Sequence, residues 1–176
     1  LQTLTLTATG ASGSASAALK VSVLRPGFVF NDDENVIHVV DTAYHLDSGI
    51  EIDVSAYGEQ PFRGTLSPDG KELYVGLRSG AQLLIVDTTT LSPTVALPAG
   101  NGIQDVTFTP DGALAFVSNR FDGTLTVIDT TVPEVIETLP VGTEPMSMAA
   151  TKNGKLYVAL RSDDTVAVVD TNAITV

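Results

Sequence analysis

The chain has 176 residues, no cysteine, and 21 acidic against 9 basic residues, for a net charge of −12. Without thiols it forms no disulfide, no thiolate metal site and no haem attachment through a Cys pair, and an acidic surface repels phosphate backbones and anionic bilayers, which disfavours nucleic acid and membrane surfaces as partners. Apolar residues make up 43% of the chain, enough for a core, yet no run approaches the roughly 18 apolar residues of a membrane span.

Residues 1–24 differ from the rest of the chain. Leu4, Leu6 and Ala8 alternate with Thr3, Thr5, Thr7 and Thr9, then comes the polar run 10–16, then Leu19, Val21 and Val23 alternate with Lys20 and Ser22. Two period-2 runs around a Gly/Ser turn predict a β-hairpin with one buried face. The stretch resembles the last two strands of an immunoglobulin-like module of the PKD or cadherin-like surface type. Arg25-Pro26-Gly27 reads as the junction, because proline disfavours helix before it and glycine loosens the chain. Leu1 is not an initiator methionine, and no basic head precedes an apolar leader. The expectation is a mature product or an internal fragment.

From Phe28 onward the chain repeats. The segment from Pro61 to Thr88 returns at 103–130 and 144–171, and a shorter copy spans 28–42. Gly70, Gly112 and Gly154 recur every 42 residues, and Asp41, Asp87, Asp129 and Asp170 close successive units. A period near 42 with short strands predicts four-stranded propeller blades. The units are 28–59, 60–100, 101–142 and 143–176. In the second unit, Arg63–Ser67 is the inner strand. Pro68-Asp69-Gly70 turns it back, because proline presets φ, aspartate bonds its own backbone and glycine supplies positive φ. Glu72–Arg78, Gln82–Asp87 and Thr94–Leu97 come next as the second, third and outer strands.

The first unit has no inner strand, and the last stops where its outer strand would start. The expected fold is therefore all-β: a partial propeller of about three and a half blades, preceded by the hairpin. Open edges invite pairing, so the arc calls for three to four further blades or for closure by another chain.

The pattern carried by Pro68-Asp69-Gly70, Leu73-Tyr74-Val75, Pro110-Asp111-Gly112, Leu125–Thr130, Pro140-Val141-Gly142, Leu156-Tyr157-Val158 and Val166–Thr171 resembles the YVTN-type β-propeller repeat. The likeness covers Phe28–Val176. Its relatives include surface-layer proteins, lactonase-like enzymes and electron-transfer domains. Beside an immunoglobulin-like piece, the surface-protein branch is the nearest. The resemblance therefore implies a non-enzymatic, extracellular or cell-surface scaffold or adhesion module, without cofactor. Its partners would be a protein or glycan at the cell surface and other copies of itself. The alternative is a lactonase- or lyase-like enzyme whose channel-mouth site lies mostly outside this segment.

The repeat also sets the candidate sites. The Asp-Thr pairs recur in every blade, which suits turn capping better than a metal. Arg78, Arg120 and Arg161 share one position, held by Asp32 in the first blade, and are expected to bond across blade seams. Channel-facing positions at the head of the inner strands hold Arg63, Asp105 and Ser147, preceded by Phe62, Gln104 and Met146. Variation inside a regular repeat is what a ligand site looks like and also what drift looks like; these three are the candidate ligand-binding set. Asn31–Asn35 is rich in oxygen but lacks calcium-loop spacing. His38 and His45 are the only histidines, and no catalytic triad or metal set is apparent.

Overall fold

The computed structural model describes residues 2–10, 13–21, 25–31 and 33–176, with side chains from Arg25 onward. Every element among them is a strand, and every pairing is antiparallel.

Strands β1 (Gln2–Gly10) and β2 (Gly13–Val21) form a two-stranded sheet, with Gln2 opposite Val21 and Gly10 opposite Gly13. The polar run expected to be a turn is mostly strand. Ser14, Ala15, Ser16 and Ala17 each face a partner on β1, and a continuous ladder overrides their weak strand preference.

The rest of the chain forms four blade sheets. The first holds β3 (Pro26–Phe30), β4 (Val36–Asp41) and β5 (Leu46–Asp53). The second holds β6 (Glu59–Leu66), β7 (Glu72–Ser79), β8 (Gln82–Asp87) and β9 (Ser92–Pro98). The third holds β10 (Ile103–Phe108), β11 (Leu114–Asn119), β12 (Thr124–Asp129) and β13 (Glu134–Pro140). The fourth holds β14 (Pro145–Ala150), β15 (Lys155–Leu160) and β16 (Thr165–Asp170). Asp41, Asp87, Asp129 and Asp170 each end the third strand of a blade, so among the described residues the first blade has no inner strand and the fourth no outer one.

Two boundaries differ from expectation. Pro26 and Gly27, read as linker, already pair with Asp41 and Val40. β3 is an edge strand, and an edge tolerates the missing N–H of proline at its first position. The second inner strand begins at Glu59 and runs past Arg63 only after a bulge between Pro61 and Arg63. The same irregularity recurs between Ile103 and Asp105 and between Pro145 and Met148. A bulge adds a residue and re-aims its neighbours, so the heads of all three inner strands are turned alike.

Burial lies between the blades. The back of blade 1 (Ile37, Val39, Ile52, Val54) packs on the front of blade 2 (Leu73, Val75, Leu84, Val86). The back of blade 2 (Tyr74, Leu83, Ile85) packs on Val106, Phe108, Ala115 and Val117 of blade 3. There the Tyr74 and Phe108 rings meet edge to face at 4.8 Å. The back of blade 3 (Phe116, Leu125, Val127) packs on Leu156, Val158 and Val169 of blade 4. Alternation along each strand thus feeds two different seams.

Candidate functional site

The turns resolve first. Asp87 Oδ1 accepts from the N–H groups of Thr89 (2.8 Å) and Thr90 (2.7 Å), and Thr88 Oγ1 donates to the carbonyl of Gly70 at 2.8 Å. Asp129 and Thr130 repeat this on Thr131 and Gly112, and Asp41 and Thr42 do so on Ala43 and Arg25. Asp170 caps Asn172 and Ala173 in the same way. Each aspartate caps the turn it opens, while each of these threonines ties that turn to the chain entering the second strand. At Thr88 and Thr130 that chain is the Asp-Gly turn. The pairs are latches on one rim of the arc. In the Asp-Gly turns themselves, Asp69 and Asp111 accept from Ser67 and Thr109.

The opposite rim is where the repeat breaks down. Arg120 donates through Nε (3.0 Å) and Nη2 (2.5 Å) to Glu144 Oε1 of the next blade, and Ser162 Oγ donates to the other oxygen at 2.7 Å. The Ser162 hydroxyl and the Arg120 guanidinium hold the Glu144 carboxyl below its usual range. Arg161 gives its backbone N–H to the Glu144 carbonyl. Arg78 instead stacks over Phe62 at 4.3 Å, with Arg63 on the same ring at 5.8 Å. Asp32, which shares this position in the first blade, lies outside the described residues. Asp122 accepts from the backbone N–H and side chain of Asn101, and Asp163 accepts from the Thr143 N–H. Phe121 projects 70% exposed beside Arg120.

Of the three residues expected to face the channel, Asp105 is the most engaged. Its Oδ2 accepts from the Met148 N–H of β14 at 2.8 Å, and its Oδ1 from the Val106 N–H at 3.0 Å. Partial burial pushes its carboxyl above the usual range, against those hydrogen bonds and the nearby Arg63 charge. Arg63 and Ser147 are exposed. The structure therefore brings Arg63 within electrostatic reach of Asp105 and ties Asp105 to the fourth blade. It gives the Ser147 hydroxyl no hydrogen bond among the described residues.

The remaining candidates have local partners. His38 Nε2 meets Glu34 at 2.9 Å and Nδ1 meets Glu51 at 3.5 Å. The Glu34 hydrogen bond outweighs slight desolvation, so the imidazole pKa is raised. His45 sits in a turn with φ 56°. Asn31 Oδ1 accepts from the Asp33 N–H, and no group of three His, Asp or Glu among the described residues is placed to hold a metal ion. Sequence reasoning passed over Glu144 and Asn119. Asn119 replaces an aliphatic residue (Leu77, Leu160) and is buried, donating to Thr124 and Thr126 and accepting from the Gly100 N–H. Its departure from the repeat was the available signal.

No family model and no curated protein matches the chain. Among solved structures it is similar to Kuenenia stuttgartiensis hydrazine synthase, with a TM-score of 0.76 and 21% identity over 84% of this chain. The chain spans 43% of the length of that one. In all, 839 solved chains match the shape, and a shape so common selects no activity. With the blade sheets and their order, the likeness establishes the fold as an all-β arc of propeller blades.

Proposed function

We propose that the chain is a non-enzymatic scaffold or adhesion module of an extracellular or cell-surface protein, built from YVTN-like blades. Its rim loops present a protein- or glycan-binding surface. One contrast carries this reading: one rim bears the same aspartate turn cap in each blade, while the other differs from blade to blade, with Phe121 where its neighbours have Ser79 and Ser162, and Arg78 stacked on Phe62 where Arg120 pairs with Glu144. Loops held by a regular scaffold vary without unfolding it, and such loops are where recognition resides. The immunoglobulin-like resemblance of the first strands supports a surface setting.

The test is a glycan array and a pull-down from cell-surface extracts, each run with the parent chain and with Phe121→Ala. Loss of a specific signal in the variant, at unchanged melting temperature, supports the reading. No specific binder in either format sinks it.

A second reading has one observation in its favour. Asp105 is a partly buried carboxyl with a raised pKa, near Arg63, at the head of an inner strand, and perturbed carboxyls concentrate at catalytic sites. A lactonase- or lyase-like activity predicts turnover of a lactone panel that Asp105→Asn abolishes.

A further inference from the structure

Gln60, Gly102 and Glu144 are equivalent in the repeat, and all three hold a positive φ, of 61°, 72° and 51°. The residues that face them from the turn after the second strand are Ser79, Phe121 and Ser162. In blade 2 the Ser79 hydroxyl donates to the Gln60 side chain at 3.0 Å, and in blade 4 the Ser162 hydroxyl donates to Glu144 at 2.7 Å. Blade 3 changes both members at once. Gly102 takes the left-handed backbone without strain, and the Phe121 ring lies so close to it that a Cβ there would collide with the ring. A polar pair is thus replaced by an aromatic ring that rests on backbone and is 70% exposed.

The ring forms one wall of a cleft of about 380 Å³ where blade 3 meets blade 4, with Pro140, Thr143, Asp122, Arg120 and Glu144 around it. The chain already fixes its charged groups. Asp122 accepts from the Asn101 N–H and side-chain amide, and Glu144 accepts from Arg120 and Ser162. A carboxylate offers about four acceptor sites. Among the described residues these bonds leave one on Asp122 Oδ1 and one on Glu144 Oε2. The Arg120 guanidinium stands 5.3 Å from the Phe121 ring centre, so the place for a cation over the ring is taken and a second cation is repelled. Asp122 beside the ring, and a net charge of −12, repel an anion.

From this geometry we propose that the cleft binds a neutral carbohydrate. The apolar C–H face of one sugar ring lies on Phe121, and its hydroxyls donate to Asp122 and Glu144 and bond to the Thr143 hydroxyl. An apolar wall with a few placed polar groups is the usual make-up of a small-ligand site, and a ring already held in place costs little to order on binding. The inference rests on the rim-surface proposal above and narrows its ligand to one class.

A glycan array carrying neutral, sialylated and sulfated oligosaccharides tests it on the whole chain, with a cell-surface pull-down run in parallel. The expected hits are neutral glycans. Phe121→Ala lowers their apparent affinity roughly tenfold or more, as loss of a central aromatic contact does, while Phe121→Tyr keeps them. The double change Gly102→Gln with Phe121→Ser installs the pair found in blade 2. It is expected to lose the hits at the parent melting temperature, which separates loss of the ring from loss of the fold. Neutral hits indifferent to Phe121→Ala, or hits confined to acidic glycans, overturn the inference. A blank array beside a protein partner that depends on Phe121 overturns it too, and leaves the rim-surface proposal standing. A blank in both formats removes both.

Discussion

At the scale of single residues, Asp105 separates hydrogen bonding from charge. Its carboxylate satisfies the Met148 N–H across a blade seam, yet burial raises its pKa. An acid whose folded pKa lies above its unfolded value binds protons more tightly when folded, so its ionisation lowers stability as pH rises through that pKa. Asp105→Asn keeps one acceptor, which can serve the Met148 N–H in place of the carboxylate at the cost of the Val106 N–H, and removes the charge. It is expected to melt at or above the parent temperature at pH 7, with the difference vanishing as the parent carboxyl protonates in acid. Asp105→Ala removes the acceptor too and is expected to cost about 1 kcal/mol, the lower range for a half-exposed donor left unpaired. Equal melting of both variants would refute the bond's role. Asp69 and Asp170 act in the opposite sense. Lys71 holds Asp69 at about 2, and Lys155, with the Ala173 and Asn172 N–H groups, holds Asp170 at about 2. Their stabilisation is present above the ordinary carboxylate range and disappears as pH falls from about 4 toward 2. Thermal melts over that window should therefore decline, modestly because both pairs are open to solvent, and Asp170→Asn should flatten the decline.

At the scale of strands and turns, one repeat position shows how blades are fitted to one another. Gly76, Ser118 and Ala159 are equivalent. A Cβ on Gly76 would collide with Ile103 Cγ2, whereas Ser118 donates to the Met146 carbonyl at 2.7 Å. Ala159 is exposed. Gly76→Ala forces Ile103 from its seat between blades 2 and 3, and overpacking of this kind costs about 1–3 kcal/mol. Ala159→Ser, at the uncovered counterpart, should leave denaturant midpoints unchanged. A Gly76→Ala midpoint equal to the parent would show that the seam adapts. Much at this scale was legible in the sequence. The 42-residue spacing of Gly70, Gly112 and Gly154 marked the blades, the Asp-Thr pairs were readable as turn caps, and the missing inner strand of blade 1 was evident from aligning Asp41 with Asp87. What was not legible arises from contacts between units. The bulges that aim Asp105 at Met148 leave no mark in strand alternation, because one inserted residue looks like ordinary variation. The part played by Glu144 needs Arg120 from the preceding blade and Ser162 from its own. Pro26 looked like a linker because its place on an edge, where no N–H is needed, is a property of the sheet.

At the scale of the whole arc, stability should track the number of covered faces. Blades 2 and 3 are packed on both sides, and their second and third strands hold most of the fully buried side chains, among them Tyr74, Leu84, Ile85, Phe116 and Ile128. Blades 1 and 4 are each packed on one side within a single chain. In a repeat array, stability is close to a sum of unit and neighbour terms, so units with one neighbour open at lower free energy. Hydrogen exchange should show amides of β7, β8, β11 and β12 exchanging slowest. Amides of β5 and β16 should exchange ahead of them, because those strands pair on one side only and belong to blades with one covered face. Uniform protection across all four blades would mean that the arc opens as one cooperative unit, and that neighbour count does not set its local stability.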